Sequence, residues 1–394
     1  MWSGSGRTAV VGCGVSEIVR TDPRPLGALA LDACRAALAD ADLTADDVDG
    51  LATYPDQPFH GAARQDGVDL VSVGYLLDHL RPSGSIGWYA QVSDGMVASA
   101  VVEAVNALLA GACRYVLVWR AMRRPPGTYG AWTEDRVGGE AQFTAPYGLT
   151  GIVQTHALAY QRYLHRHRAS REAMAELAVT QREGARLNPQ AIFRDRALTR
   201  DDYLGARMIA DPLCLYDCDV PVQGCAALVL TTSERARDLV ERPAHVAAYA
   251  QQTARRAPLA QPLYMLDDYM AAGRTTTGAL WSRAGLGPGE VDVAQLYDGF
   301  SPSVWYWLEA AGFCGEGEAH AFVQDGRIAR TGDLPVNTFG GSLSEGRLHG
   351  MGHLIEAVRQ VSGRAGPRQV PGARTAVALD GSPLLRNAGV VFTG

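Results

Sequence analysis

The stretch Asn337 to His353, NTFGGSLSEGRLHGMGH, sets Arg347, His349 and His353 among glycines and runs into an apolar segment patterned like a helix. A histidine, with an unperturbed pKa of about 6.5, can take or give a proton near neutral pH. An arginine is permanently cationic and carries a forked donor array, so it can polarise an oxygen. Gly340, Gly341 and Gly346 would let backbone N–H groups approach that oxygen closely. These residue types suit proton transfer beside a stabilised oxyanion. They also suit a plain strand-to-helix turn, in which His353 reads as a packing residue.

The elements that must position this stretch alternate between strand and helix. Residues 8 to 12 (TAVVG) read as a buried strand entering a glycine turn, and Leu26 to Asp40 carries apolar residues at helical spacing. Thr44 to Asp47, TADD, is a capping-box helix start, with VDGLATY behind it as a strand. A helix is expected from about Val97 to Ala110, stopped by Gly111 and followed by the strand RYVLVW. The alternation recurs. ADLTADDVDGLATY (41 to 54) aligns without a gap on AGLGPGEVDVAQLY (284 to 297), and VVEAVNALLAG (101 to 111) resembles LIEAVRQVSG (354 to 363). Two matches in the same order indicate an internal duplication with a period near 250 residues. The predicted organisation is an N-terminal half at 1–122, an inserted helical loop domain at 123–207, completion of the first half at 208–236 and a C-terminal half at 237–394.

The gross numbers bound the function. With 394 residues, 47% hydrophobic and 20% charged, the chain has the composition of a globular protein with a substantial core. Its 36 basic and 42 acidic residues leave a net charge of −6 and no long basic run, which argues against nucleic acid as a partner. The opening stretch lacks a charged start followed by a long apolar core, and no apolar run approaches the ~20 residues that span a bilayer. A cytoplasmic protein without membrane insertion is therefore expected. Seven scattered cysteines suit reduced thiols, and the spacing of Cys214, Cys218 and Cys225 matches no standard zinc pattern, so no metal is expected.

PYGLTG (146 to 151), ARMIADPLCLYDCDVPVQGCAALVLTT (206 to 232) and LYDGFSPS (296 to 303) occur in an order in which the chain resembles the thiolase superfamily, specifically its sterol-carrier-protein or lipid-transfer-protein thiolases. The resemblance covers nearly the whole chain. It implies an α/β thiolase fold: two duplicated βαβαβαββ halves in a five-layered αβαβα sandwich, with a loop domain inserted in the first half, and usually a dimer. The family's catalytic cysteines are missing. The window WYAQVSDGMVASA (88 to 100) holds no nucleophilic cysteine, and Leu379 stands where the Cys-x-Gly thiol belongs. In GRLHG, Gly346 is kept, Arg347 and Leu348 take the places of the activating His and Pro, and His349 follows. Where the family has Asn-Glu or His-Asp, this chain has Tyr297 and Asp298.

These departures resemble a subgroup of thiolase-like aldolases that cleave steroid side chains. Its members split a β-hydroxyacyl-CoA into a ketone and a shorter acyl-CoA, use a pocket tyrosine, and act with a partner bearing an OB-fold and a zinc ribbon. Tyr297 matches that tyrosine, whereas Arg347 stands where the subgroup has a second one. Retro-aldol cleavage needs a base, a stabilised enolate and a proton donor, but no covalent nucleophile. Tyr297, its pKa lowered by Arg347 or a histidine, would be the base; His349 would be that base or the donor; Arg347 would polarise the thioester oxygen. Asp298 is placed with these three among the catalytic residues; Tyr297 also reads as a packed strand-end residue, Asp298 as a cap of the helix SPSVWYWLEAAG or a loop-orienting group, and Arg347 as an ion-pair partner of Glu345 or Asp298. No cofactor is expected beyond the coenzyme A of the substrate. Two other readings stay open: an acyltransferase using a nucleophile such as Ser93, and a lipid- or acyl-CoA-binding subunit without activity.

Overall fold

The structure is a computed structural model that describes residues 2–55, 65–92, 96–123, 142–149, 151–253 and 270–394. The first half runs β1 (Thr8–Val15), α1 (Leu26–Ala39), β2 (Gly50–Thr53), α2 (Val73–Leu80), β3 (Trp88–Gln91), α3 (Met96–Leu109) and β4 (Tyr115–Arg123). Next come α4 (Ile152–His167), α5 (Arg171–Arg186), α6 (Arg200–Leu204) and a small hairpin, β5 (Met208–Ala210) with β6 (Leu213–Cys214). β7 (Gln223–Thr232) then pairs antiparallel with both β1 and β4. The second half holds α7 (Ser233–Leu239), β8 (Ala244–Thr253), α8 (Ala271–Ala284), β9 (Val293–Leu296), α9 (Pro302–Ala310), α10 (Ala319–Phe322), α11 (Gly341–Ser344), α12 (Met351–Val361), β10 (Thr375–Gly381) and β11 (Arg386–Thr393).

The duplication is visible in the strand order. The ladder reads β3-β2-β4-β7-β1 through the first half and β8-β11-β10-β9 through the second. Val336 bridges Ala294 of β9 in parallel, in the place that β3 takes beside β2, so the second half mirrors the first. The aligned segments superpose in kind: a helical turn at Ala45–Asp47 and strand β2 answer to a turn at Pro288–Glu290 and strand β9. β1 also pairs with β8, through Ala9 and His245 and through Val10 and Ala244, which joins the halves into one nine-stranded sheet.

Three cores account for the layers. On β4, Leu117 and Trp119 face α1 and α2, while Val116, Val118 and Met122 face α3 and α12, as the two-residue period of a strand requires. On β10, Ala376 and Ala378 face the same central helices, and Val377 and Leu379 face the core that includes α8 and α9. Helices therefore lie outside each half-sheet and between them, giving five layers. α1 is apolar along one stripe (Leu26, Leu29, Ala30, Ala33, Ala37), as an outer helix needs, whereas α3 is buried except along a narrow strip at Glu103, Asn106 and Leu109. Helices α4 and α5 bury Tyr160, Tyr163, Met174 and Leu177 against Trp305, Tyr306 and Trp307 of α9, so this segment packs on the second half.

Candidate active site

Asn337, at φ +48, ties the stretch that opens this site to β9: its side chain accepts from the Leu296 N–H at 2.7 Å and donates to the Leu296 carbonyl at 2.8 Å. Immediately after β9 come Tyr297 and Asp298. The Asp298 carboxylate accepts from the N–H groups of Ser342 (2.7 Å) and Leu343 (3.3 Å), from Gln181 of α5 (3.2 Å) and from His353 of α12 (3.0 Å). It thus caps α11 rather than α9, which starts after Ser301 with Pro302 in its first turn. Sequence proximity suggested the wrong helix; the chain returns forty-odd residues later to use the carboxylate. Four protein donors fill the acceptor sites of Asp298, so its part is to hold the loop. His353, read as packing, is one member of this buried pair, and its ring stands edge-on to Phe339 at 5.0 Å.

The glycines serve close packing. A Cβ on Gly341 (φ +62) would lie 2.0 Å from Asp298 Oδ2, and one on Gly346 (φ +140) would lie 2.7 Å from Val222. Gly340 lies against Ala185, and its N–H already donates to the Asn337 carbonyl at 2.8 Å, so it does not serve an oxyanion as expected.

His349 adopts φ +50 and Gly350 φ +88 in the turn that starts α12. His349 is 2% exposed and lies between two guanidinium groups: Arg120 of β4 reaches its Nδ1 at 3.3 Å, and Arg347 closes on Nε2. The counter-ion of Arg347 is neither Glu345 nor Asp298 but Asp219, 3.1 Å from its Nε. The Arg347 N–H donates to the Val220 carbonyl at 2.9 Å, which brings this loop alongside the segment before β7 and sets the pair. Glu345 points elsewhere: Asn188 donates to it at 2.8 Å, and burial pushes its pKa up to about 7.

Tyr297 is 8% exposed, its ring 6.4 Å from that of His349 and 5.8 Å from that of His353. The expected lowering of its pKa does not occur. Burial pushes the phenol well above its ordinary value; Arg347 pulls it down by less, and Asp219, Asp380 and Asp298 push it up further. Tyr297 is therefore a neutral O–H, suited to giving a proton rather than taking one.

Four further residues of the site were not singled out as functional from the sequence. Arg120 and Asp380 interrupt otherwise apolar strands, YVLVWRAM and TAVALDG, and a charge on the inner face of a buried strand was the legible signal. Asp380 accepts from the N–H of Ala98 in α3 (3.0 Å) and of Gly381 (2.8 Å), and burial raises its pKa to about 7. Asp219, in the segment before β7, supplies the counter-ion of Arg347. The His156 ring of α4 lies 4.2 Å from that of Phe300, tilted by 31°, and burial, with Arg347 adding, pushes its pKa down to about 3. The window in which the resemblance puts the thiolase nucleophile, residues 88 to 100, holds no cysteine, and α3 opens within it with Met96 at φ +68; Ser93 lies outside the described residues. Leu379 is fully buried.

Residues 263–393 match the family described as thiolase C-terminal domain-like. The chain is 33% identical over 375 residues to a 17-hydroxy-3-oxo-4-pregnene-20-carboxyl-CoA lyase of Mycobacterium tuberculosis, covering 91% of this chain and 92% of that protein. It is 33% identical over 371 residues to a steroid side-chain-cleaving aldolase of Thermomonospora curvata, covering 91% of each. A solved structure described as an Ltp2-ChsH2(DUF35) aldolase superposes with a TM-score of 0.87 at 30% identity, over 99% of this chain and 98% of that one. With the mirrored halves and the buried polar cluster at the start of α12, these likenesses identify the family: the chain belongs to the thiolase superfamily, in the sterol-carrier-protein thiolase-like group that includes steroid side-chain-cleaving aldolases.

Proposed function

We propose that this protein is a carbon–carbon lyase that cleaves a β-hydroxyacyl-CoA by a retro-aldol reaction, releasing a ketone and a shorter acyl-CoA. The observation that carries the reading is the cluster of Tyr297, Arg347 and His349, which stands where a thiolase keeps its activating groups, in a chain one-third identical to two lyases of this type. His349 takes the proton of the β-hydroxyl. The bond between the α- and β-carbons breaks, its electron pair enters the thioester as an enolate, and the buried Tyr297 O–H returns a proton to the α-carbon. Proton exchange between the histidine and the tyrosinate resets the site. Arg347, held by Asp219, orients His349, and Asp298 fixes the loop that carries both.

The names of the relatives support a bulky steroid side-chain thioester as the substrate. No cofactor takes part beyond the coenzyme A of the substrate. The superposing aldolase carries a DUF35 partner in its name, which supports a complex with a second protein; the reading gives that partner an OB-fold and a zinc ribbon, and the complex a homodimeric core, from the family resemblance. No described helix is long and apolar enough to cross a membrane, and the reading puts the reaction in the cytoplasm.

The test is to co-express the chain with such a partner and supply a steroid β-hydroxyacyl-CoA. Ketone and shorter acyl-CoA should form one to one, with the partner raising the rate. Products of thiolysis, or no cleavage by the complex, would overturn the reading.

A further inference from the structure

Arg120 lies on the face of β4 that meets the two central helices, in register opposite Ala226 of β7, and is 4% exposed. Its contacts are few: the guanidinium donates to the Ala121 carbonyl, reaches His349 Nδ1 at 3.3 Å and sits 5.5 Å from the centre of the Tyr54 ring. Its buried Nε has no hydrogen-bond partner. Among the described residues no carboxylate lies within ion-pair distance of it. Asp219 is 3.1 Å from Arg347, Asp298 is bonded to His353, and Asp380, near enough to feel the charge of Arg120, keeps its oxygens on the N–H groups of Ala98 and Gly381.

A buried cation without a counter-ion is costly to maintain, and burial, with Arg347 adding, pulls the Arg120 pKa down to about 10. Its neighbour Arg347 has its charge balanced by Asp219, so the unbalanced positive charge of the cluster belongs to Arg120. In a site where negative charge appears only during reaction, such a group is ready before the charge arrives.

We propose that Arg120 is the oxyanion-binding residue, donating to the thioester oxygen as the electron pair of the breaking carbon–carbon bond turns it into an enolate. This deepens the aldolase reading and rests on it. Arg120 exchanges no proton. His349 receives the hydroxyl proton, Tyr297 supplies the one that ends on the α-carbon, and the guanidinium holds the oxygen between those steps.

The experiment uses the complex with its partner protein and three forms of the chain: wild type, Arg120→Met and Arg120→Lys. Two rates are read: cleavage of a β-hydroxyacyl-CoA, and exchange of the α-protons of propionyl-CoA with deuterium oxide, which passes through the enolate alone. For Arg120→Met, kcat should fall about 10²- to 10³-fold, the range for losing one oxyanion donor, with KM changed less than about threefold and exchange falling by a similar factor. Arg120→Lys should recover part of both rates. Binding offers a second arm that needs no variant: a CoA derivative with a nitro group in place of the thioester carbonyl should bind wild type at least about tenfold more tightly as its nitronate than as the neutral form. A wild type that binds both forms equally, or an active wild type matched within about threefold by Arg120→Met or, should that variant not fold, by Arg120→Lys with no tightening by the nitronate, overturns the oxyanion role alone. A wild type that neither cleaves nor exchanges overturns the aldolase reading and the oxyanion role with it.

Discussion

The two halves of this chain carry opposite charges at matched places. The sixth residue of β4 is Arg120 and the sixth residue of β10 is Asp380; both strands turn that position toward the central helices. The halves share a scaffold, yet they have divided the chemistry. The first half contributes Arg120 and Tyr54, and the window of residues 88 to 100 that leads into its central helix holds no cysteine. The second contributes Tyr297, Asp298, Arg347, His349, His353 and Asp380, which under the proposed reaction move protons or position the groups that do. Covalent catalysis needs a nucleophile on the first half; acid–base cleavage does not, and the duplicated fold tolerates its loss because helix α3 still buries most of its residues between the half-sheets.

This division can be broken first at the second half. His349→Ala should lower kcat by about 10³-fold, within the range for a general base, and leave the melting temperature little changed if the ring is catalytic rather than structural. Steady-state kinetics and a thermal melt on the same sample check it. Tyr297→Phe keeps the ring and removes only the acidic proton. It should cost about 10²-fold in kcat, and α-proton exchange of the product acyl-CoA should fall in parallel. Equal activity in either variant would return that residue to a packing role.

Asp380 sharpens the comparison through pH. Its folded pKa, about 7, lies above its ordinary value because burial opposes ionisation. Between those two values the folded chain holds a proton that the unfolded chain has lost, so this group's contribution to stability is full at low pH and declines as pH rises toward 7. Asp380→Asn should remove that slope, by on the order of a few kcal/mol between pH 4 and pH 7, as read from denaturant unfolding of wild type and variant across the range. Parallel curves would mean that Asp380 is already ionised in the fold. The smallest effect is expected at the first half: Met96→Leu, at the start of α3, should keep kcat within about threefold, because no acyl transfer passes through this position.

Much of the fold was legible because duplication repeats: the turn and strand at 45–53 return at 288–296 with the same local signals. The site was legible in part. His349, Arg347 and Tyr297 do converge, but their partners come from other layers, and no local pattern announces them. Arg120 is 229 residues from His349, and Asp219 is 128 positions before Arg347. The charge state of Tyr297 was misjudged because neighbouring charges can be guessed from sequence, whereas depth of burial, which dominates here, cannot. Asp298 was assigned to the nearest helix in sequence because the return of the chain at α11 leaves no mark near residue 298.

The central claim is that cleavage proceeds without a covalent acyl-enzyme. The direct measurement is the intact mass of the chain, acid-quenched at intervals during turnover of a β-hydroxyacyl-CoA by the complex, with ketone and acyl-CoA quantified in the same samples. The account predicts an unmodified mass at every time point while the two products accumulate one to one. A mass increase equal to the acyl group, appearing and decaying with turnover, would contradict it.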